Sequence, residues 1–344
     1  MDPVIVVGAG IAGISCARVL AEARVPVRVL DRAGQPGGRM ASAEHAGRPV
    51  DTGASYFTVS DDRFDRVVRD WQRRGLARPW TDAFEVYEDR ATRRSAGPLR
   101  WAAGPGLRAL VQDLADAAEL PVERAGVELV AGGRSGLTVD GEPASAVVLA
   151  MPDPQAKAIL QPALAAERAG LYARFDPVLV LSAGWPERVW SRFDGMFVNG
   201  DERLSWIADD GSRRGDGAPV LVAHSTTSWA AGQLAEPDQD RPDQDRLDED
   251  PPDEDRAAQA LLQALQDVLA ISTAPSWTRL DRWPQAKPAA GRAASFQLWP
   301  SLVGACGDGW SERPRVEAAF LSGLQLGQAL TRRLASSGTD QKQR

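Results

Sequence analysis

The chain has 344 residues, a quarter of them charged, with a formal charge of −7 at neutral pH. A length beyond the usual single-core limit predicts two lobes around a cleft. The acidic balance excludes nucleic acid or an anionic membrane as a main partner, because either calls for a clustered basic face. Cys16 and Cys306 lie far apart in apolar segments, so no disulfide framework or metal-ligand spacing can be drawn, and a reducing cytoplasm is the expected compartment. Met1-Asp2-Pro3 leads straight into an apolar strand, and no apolar run approaches ~18 residues, so neither a cleaved signal nor a membrane span is expected.

The first segment, "VIVVGAGIAGISCARVLAEARVPVRVLDR", opens with an apolar strand over Val4 to Val7 and turns through glycines. It continues at helical spacing through Ile11, Ile14, Ala17, Val19 and Leu20, then enters a second strand over Val27 to Leu30, a βαβ unit. "RFDRVVRDWQRRG", residues 63 to 75, predicts a charged surface helix with Phe64, Val67, Val68 and Trp71 on its buried side. Short hairpins are expected between Phe84 and Trp101, then a helix in "GPGLRALVQDLADAAE". Residues 125 to 152 predict a β-meander ending in a buried strand, Ala146 to Ala150, stopped by Pro152. Strand-like runs over 175–230 suit a sheet in a second lobe. Residues 236–256, "EPDQDRPDQDRLDEDPPDEDR", are acidic and nearly repetitive, and predict a disordered surface insertion that has too little apolar area to order itself. A helix from Ala257 to Ala270 and a long last helix beginning just after Pro314 complete the chain. The expected division is a discontinuous nucleotide domain (1–75, 100–155, 290–335) and a substrate domain (76–99, 156–289).

Gly8-Ala9-Gly10-Ile11-Ala12-Gly13 is a G-x-G-x-x-G between strand and helix, and Asp31 ends the next strand. The first glycine permits the tight turn, the second lets backbone approach a pyrophosphate, and the third allows close helix–strand packing. The helix N-terminus then faces the anion and Asp31 accepts from a ribose hydroxyl. NAD, NADP and FAD all use this fingerprint. The choice among them lies downstream, where "GGRM" (37–40) and "DTGASYFT" (51–58) replace the alternating βα units of a simple NAD dehydrogenase. That is the arrangement of a flavoprotein.

Together with "GPGL" at 104–107, "VVLAMPDPQA" at 147–156, "RW" at 282–283 and "CGDGW…RVEAAFLSG" at 306–323, these motifs resemble bacterial renalase. That family belongs to the amine-oxidase-like class of FAD proteins. The resemblance implies an α/β fold: a Rossmann-type FAD-binding domain of the p-hydroxybenzoate-hydroxylase kind with a second, mixed-sheet substrate domain. It implies noncovalent FAD held at Gly8, Gly10, Ile11, Ala12, Gly13, Asp31, Arg32, Gly38, Arg39, Met40, Ser55, Tyr56, Val127, Asp308, Arg315 and Val316. Within that set, Arg39 meets the pyrophosphate, Ser55 and Tyr56 lie beside the flavin ring, and Val127 meets the adenine. Asp308 binds the ribityl chain, and Val316 opens the final helix under the pyrimidine edge, where a helix N-terminus stabilises negative charge.

The family's activity is oxidation of dihydro isomers of NAD(P), reduced at the 2- or 6-position, with O2 as electron acceptor. An amine oxidase or desaturase of another small substrate is the first alternative, and a flavin-stabilised interaction protein working through its acidic segment is the second. Candidate catalytic residues are Tyr56, His224, Trp283 and Lys287. Phe57 reads equally as site or core, His45 reads as solvated, and no metal site is expected. The segment Asp281-Arg282-Trp283-Pro284-Gln285-Ala286-Lys287 departs from the family's pattern around Arg282-Trp283. Lys287 reads as a surface lysine, or as one near the flavin; Trp283 as a stacking residue or as core.

Overall fold

In the computed structural model, which describes residues 2–45, 47–133, 136–235 and 253–342, the N-terminal βαβ unit forms as its periodicity predicts. Its elements are β1 (Val4–Val7), α1 (Ile11–Glu22) and β2 (Val27–Asp31). A 3-10 turn (Gly38–Met40) and a strand pair, β3 (Ser42–His45) and β4 (Arg48–Asp51), lead to α2 (Asp62–Arg73). Asp61 caps α2 by accepting from the Arg63 N–H, and Phe64, Val68 and Trp71 are its buried face. The expected short hairpins are one long hairpin, β5 (Ala77–Glu88) and β6 (Ala91–Ala103). It turns at Asp89 and Arg90, both at positive φ, a two-residue turn that the pair "DR" does not announce.

Next come α3 (Leu107–Asp116), β7 (Val122–Arg124), the meander β8 (Val130–Gly133), β9 (Gly136–Val139) and β10 (Glu142–Ala144), and the buried β11 (Ala146–Leu149). The second half runs α4 (Asp153–Ile159), α5 (Ala165–Gly170), β12 (Phe175–Gly184), β13 (Gly195–Val198), β14 (Leu204–Asp209), α6 (Asp210–Arg214), β15 (Val220–Ser225) and α7 (Thr227–Leu234). The chain ends with α8 (Asp253–Leu269), β16 (Trp277–Pro288), β17 (Gln297–Leu298), β18 (Val303–Ala305) and α9 (Val316–Lys342). Residues 236–252 of the expected insertion lie outside the described residues. Its last four residues are helical, because α8 starts earlier than its apolar periodicity predicts.

The first sheet has the order β17-β18-β11-β1-β2-β7 and is parallel except at β17. Its second strand, β18, comes from the far end of the chain, so both ends build one layer. On one face α9 crosses α1 closely: a Cβ on Gly323 would fall 1.9 Å from the Ala12 carbonyl oxygen. The second sheet has the order β16-β12-β15-β14-β13-β5-β6 and is antiparallel except at β13–β5. Alternation along its strands divides its faces. Leu179, Leu181, Ala183, Leu221 and Ala223 pack with Leu261 and Leu265 of α8, while Val178, Val180, Val220 and Val222 turn the other way, against Val50 of β4. His224 and Trp206 share this second face, which meets the segment after β4. Among the described residues no helix is long and apolar enough to cross a membrane.

Candidate functional site

The glycine turn and the "GGRM" loop form one structure. Gly10 and Gly37 make a parallel bridge, and the Gly37 N–H donates to the Ala9 carbonyl at 2.9 Å. Gly38 has φ +55, and a Cβ there would lie 3.0 Å from Gly10 Cα, so glycine at 38 satisfies both the backbone conformation and the approach. The third fingerprint glycine behaves as expected: a Cβ on Gly13 would sit 1.9 Å from the Gly8 carbonyl oxygen. Asp31 accepts from the N–H of Ala9 (2.9 Å) and of Ala33 (2.8 Å), which aims its carboxylate at the turn.

"DTGA" returns the chain to Arg39. The Ala54 N–H donates to the Arg39 carbonyl at 2.9 Å, and a Cβ on Gly53 would meet that oxygen at 2.1 Å. The Arg39 guanidinium binds Asp308 through both nitrogens, 3.0 and 2.5 Å, donates to the Ala286 carbonyl at 3.1 Å and lies 5.4 Å from the Phe175 ring centroid. Two residues 269 apart in sequence, each expected at the cofactor, are thus brought together. Asp51 has another function. Fully buried, it accepts from Ser42 Oγ and from the Leu107 N–H at the start of α3, and it pairs with Arg214 at 3.2 Å. Arg213, Arg214 and Arg48 converge on Asp210, also fully buried. Removal from water would raise the Asp210 carboxyl, but these three guanidinium groups outweigh it and hold it down at about 2.

Beyond this cluster the chain enters the second sheet's open face. The buried Arg213 donates to the Ser55 carbonyl at 3.0 Å, Trp206 Nε1 donates to Ser55 Oγ at 3.0 Å, and His224 Nε2 lies 3.5 Å from the same hydroxyl. Because Trp206 can only donate, the Ser55 proton is left to a neutral imidazole. His224 is neutral: removal from water, then the charges of Arg213 and Lys287, push its pKa down to about 3. Tyr56 packs within an aromatic group, 5.2 Å from Phe84, 5.8 Å from Trp206 and 6.3 Å from Trp80 between ring centroids. Burial pushes its phenol up, and the neighbouring Arg100 pulls the other way. Phe57 is core, packed on Phe64, Trp71 and Trp101.

The remaining expected residues are spread along the same seam. Met40 is buried beneath the turn, Arg32 is exposed just past Asp31, and Val127 is half-buried. Val316 opens α9, and Arg315 reaches Ser60 Oγ at 2.7 Å. Glu317, in the first turn of α9, accepts from the N–H groups of Ser60 (2.6 Å) and Asp61 (2.8 Å), tying this helix to the chain that follows Phe57. Trp283 Nε1 donates to the Thr52 carbonyl at 2.7 Å, so its indole braces "DTGA". Lys287 is exposed, opposite Asp176 across β12–β16, with its charge felt at His224. His45 departs from expectation: it is half-buried, 3.7 Å from the Trp277 ring. Trp206, Arg213 and Arg100 were not singled out in the sequence. Trp206 and Arg100 lie in strands whose alternation marks only a face, and Arg213 in a five-residue helix with no motif.

This donor set fits a dinucleotide. Gly10 caps α1 without a side-chain hydrogen bond, and the helix's first turn carries no acidic residue, which leaves its first N–H groups suited to an anion. A Cβ on Gly10 would meet nothing nearer than Gly38 Cα at 4.0 Å, and a Cβ on Gly307, φ +147, would meet nothing within 4 Å. Each Asp31 oxygen keeps a lone pair for a hydroxyl.

Comparison with known proteins agrees. Residues 6–72 match the family described as an NAD(P)-binding Rossmann-like domain. A 56-residue stretch is 46% identical to hydroxyneurosporene desaturase of Rubrivivax gelatinosus, covering 16% of this chain and 11% of that protein. Cyclohexylamine oxidase from Brevibacterium oxydans IH-35A has a TM-score of 0.72 at 14% identity, over 97% of this chain and 99% of that one. Wild-type putrescine oxidase bound to putrescine scores 0.65 at 15% identity, over 96% and 98%. At these identities the structures establish a shared fold: an α/β Rossmann-type nucleotide layer joined to a mixed sheet. The family match places a dinucleotide-binding Rossmann-like unit at the N-terminal end of that fold.

Proposed function

We propose that this chain is a renalase-like, FAD-dependent oxidase acting in the cytoplasm, converting 2- or 6-dihydro isomers of NAD(P) and O2, with one proton, into NAD(P)+ and H2O2. The observation that carries the flavin reading is the docking of Gly37 and Gly38 on Gly10 with Arg39 beside them. We take the nucleotide domain, of the p-hydroxybenzoate-hydroxylase type, as residues 1–75, 100–155 and 290–335, with 76–99 and 156–289 forming the substrate domain. FAD, when bound, supplies the hydride acceptor and the centre that O2 reoxidises.

The chain's own residues have simpler tasks. The α1 N-terminus and Arg39 neutralise pyrophosphate charge, Asp31 orients a ribose, and the α9 N-terminus favours negative charge at Val316. Ser55, Trp206 and Tyr56 form an apolar wall with fixed donors that excludes water from one side of the cleft. His224 stays neutral and withdraws no proton. That suits a dihydropyridine, which becomes aromatic as hydride leaves and needs no general base.

A second reading, an amine oxidase, draws on the fold shared with the cyclohexylamine and putrescine oxidases. The test is anaerobic mixing of the FAD-loaded protein with 2- or 6-dihydro-NAD, with NADH and with a panel of amines, following loss of flavin colour. Rapid bleaching by the dihydro isomers is expected; bleaching by amines alone overturns the proposal in favour of the second reading. A purified protein that takes up no FAD refutes both.

A further inference from the structure

The aromatic wall carries a guanidinium. Arg100 lies 4.2 Å from the Phe84 ring centroid and beside the Tyr56 phenol. Phe84 in turn contacts Trp80, Trp206 and Phe197 at centroid distances of 5.3, 4.7 and 5.7 Å. Arg100 is only 8% exposed, and its Nη1 is buried without a hydrogen-bond partner. Among the described residues the other buried arginines pair with carboxylates: Arg213 and Arg214 with Asp210 and Asp51, and Arg292 with Asp153. Among the described residues Arg100 pairs with no carboxylate.

The backbone is shaped around this side chain. Thr81 faces Arg100 and Ala83 faces Ala96, so residues 97–99 bulge against one residue of β5. Gly97 lies in that bulge, where a Cβ would come 2.6 Å from Arg100 Nη2. Burying a guanidinium without a counter-charge opposes folding, and the ring beneath it offsets only part of that cost.

We infer that Arg100 is the anion anchor of the substrate pocket. The pocket takes a ring bearing a carboxylate or phosphate beside the partly exposed Tyr56, and it disfavours an alkylammonium. The ring face that would receive an ammonium is already covered by Arg100. The inference rests on the flavin-enzyme reading for where the pocket lies, and deepens it by naming the charge of the substrate.

The test uses one ring with four substituents. The FAD-loaded protein is titrated at neutral pH with benzoate, phenyl phosphate, benzyl alcohol and benzylamine, following heat of binding and tryptophan fluorescence, neither of which needs turnover. At least one anion binds about tenfold or more tighter than benzyl alcohol, and benzylamine binds weakest. Preference for benzoate identifies a carboxylate, and preference for phenyl phosphate a phosphate. Arg100→Gln, with its fold checked by thermal melting, abolishes the order, and Arg100→Lys restores part of it. Benzylamine binding as tightly as the anions, no binding by any probe, or an unchanged order in Arg100→Gln overturns the inference. Anion preference without oxidation of dihydro-NAD isomers leaves the inference standing and removes the proposed reaction; oxidation without anion preference does the opposite.

Discussion

Gly53→Ala tests whether the "DTGA" return fixes Arg39. The added methyl would sit 2.1 Å from the Arg39 carbonyl oxygen, 2.9 Å from its carbon and 3.4 Å from the Ala41 nitrogen. All three are backbone atoms, so no side-chain rotation relieves the clash. Forcing the strands apart costs about 1–3 kcal/mol as overpacking, and weakening the 2.9 Å bond from the Ala54 N–H to Arg39 adds about 1 kcal/mol. With an unfolding entropy near 0.7 kcal/mol per kelvin for a chain of this size, a loss of about 2–4 kcal/mol lowers Tm by about 3–6 °C. The shift also carries the guanidinium away from the pyrophosphate position proposed for it, and weakening that charge-assisted contact lowers FAD affinity by about 10–100-fold. Tm by circular dichroism and FAD affinity by flavin fluorescence give the two readouts. Gly126→Ala is the control, since nothing lies within 4 Å of its added methyl. If Gly53→Ala melts with the control and binds FAD equally well, the reasoning about this turn is wrong.

Three further outcomes are expected. Asp210→Asn leaves Arg48, Arg213 and Arg214 without their shared partner; the loss of about 3–5 kcal/mol should appear in urea denaturation, and a change below about 1 kcal/mol counts against the cluster as a structural element. Arg39→Lys replaces a planar fork with a point charge, so FAD binding should fall about tenfold with Tm of the cofactor-free protein little changed; equal affinity would remove Arg39 from the cofactor site. His224 binds its proton less readily when folded, with a pKa near 3 rather than 6.5. Its contribution to stability is therefore full above about pH 6.5 and is lost as pH falls toward 3. His224→Gln should flatten the urea midpoint against pH across that window, and an unchanged slope would show that the imidazole titrates normally.

The N-terminal βαβ unit was legible because its signals are local: an apolar strand, glycines at fixed offsets, a helical period and an acid. "GGRM" and "DTGASYFT" were legible as motifs, but their physical reason, that Gly38 approaches Gly10 and Gly53 approaches Arg39, needs chain segments brought together from outside the fingerprint. Arg39 and Asp308 were each expected at the cofactor, yet no sequence pattern joins two residues 269 apart. The aromatic wall was the least legible part. Trp206, Phe84 and Arg100 come from three strands, and their meeting depends on pairing order and on a bulge at 97–99 that no turn signal marks. His45 was misread for a similar reason: its polar neighbours suggest solvent, but Trp277 on a distant edge strand covers it.

The segment from Gly37 to Ser55 works as a strap between the two sheets. It starts on the glycine turn, where Gly37 bridges Gly10, and its last residue is held by Trp206 and Arg213 of the second sheet's layer. Between those points Asp51 fastens it to α3 and to Arg214, and Trp283 fastens it to β16. The charge cluster therefore shapes the candidate site although its carboxylates, Asp51 and Asp210, are fully buried. Arg213 is held by Asp210 on one side and donates to the Ser55 carbonyl on the other, so the position of Ser55 relative to Trp206 depends on a buried ion pair. An apolar core of equal volume would hold the two sheets together as firmly, but it would not fix that carbonyl. The cluster's specific role is one of geometry: it sets where the strap ends, and so where Tyr56 meets the aromatic wall that carries Arg100.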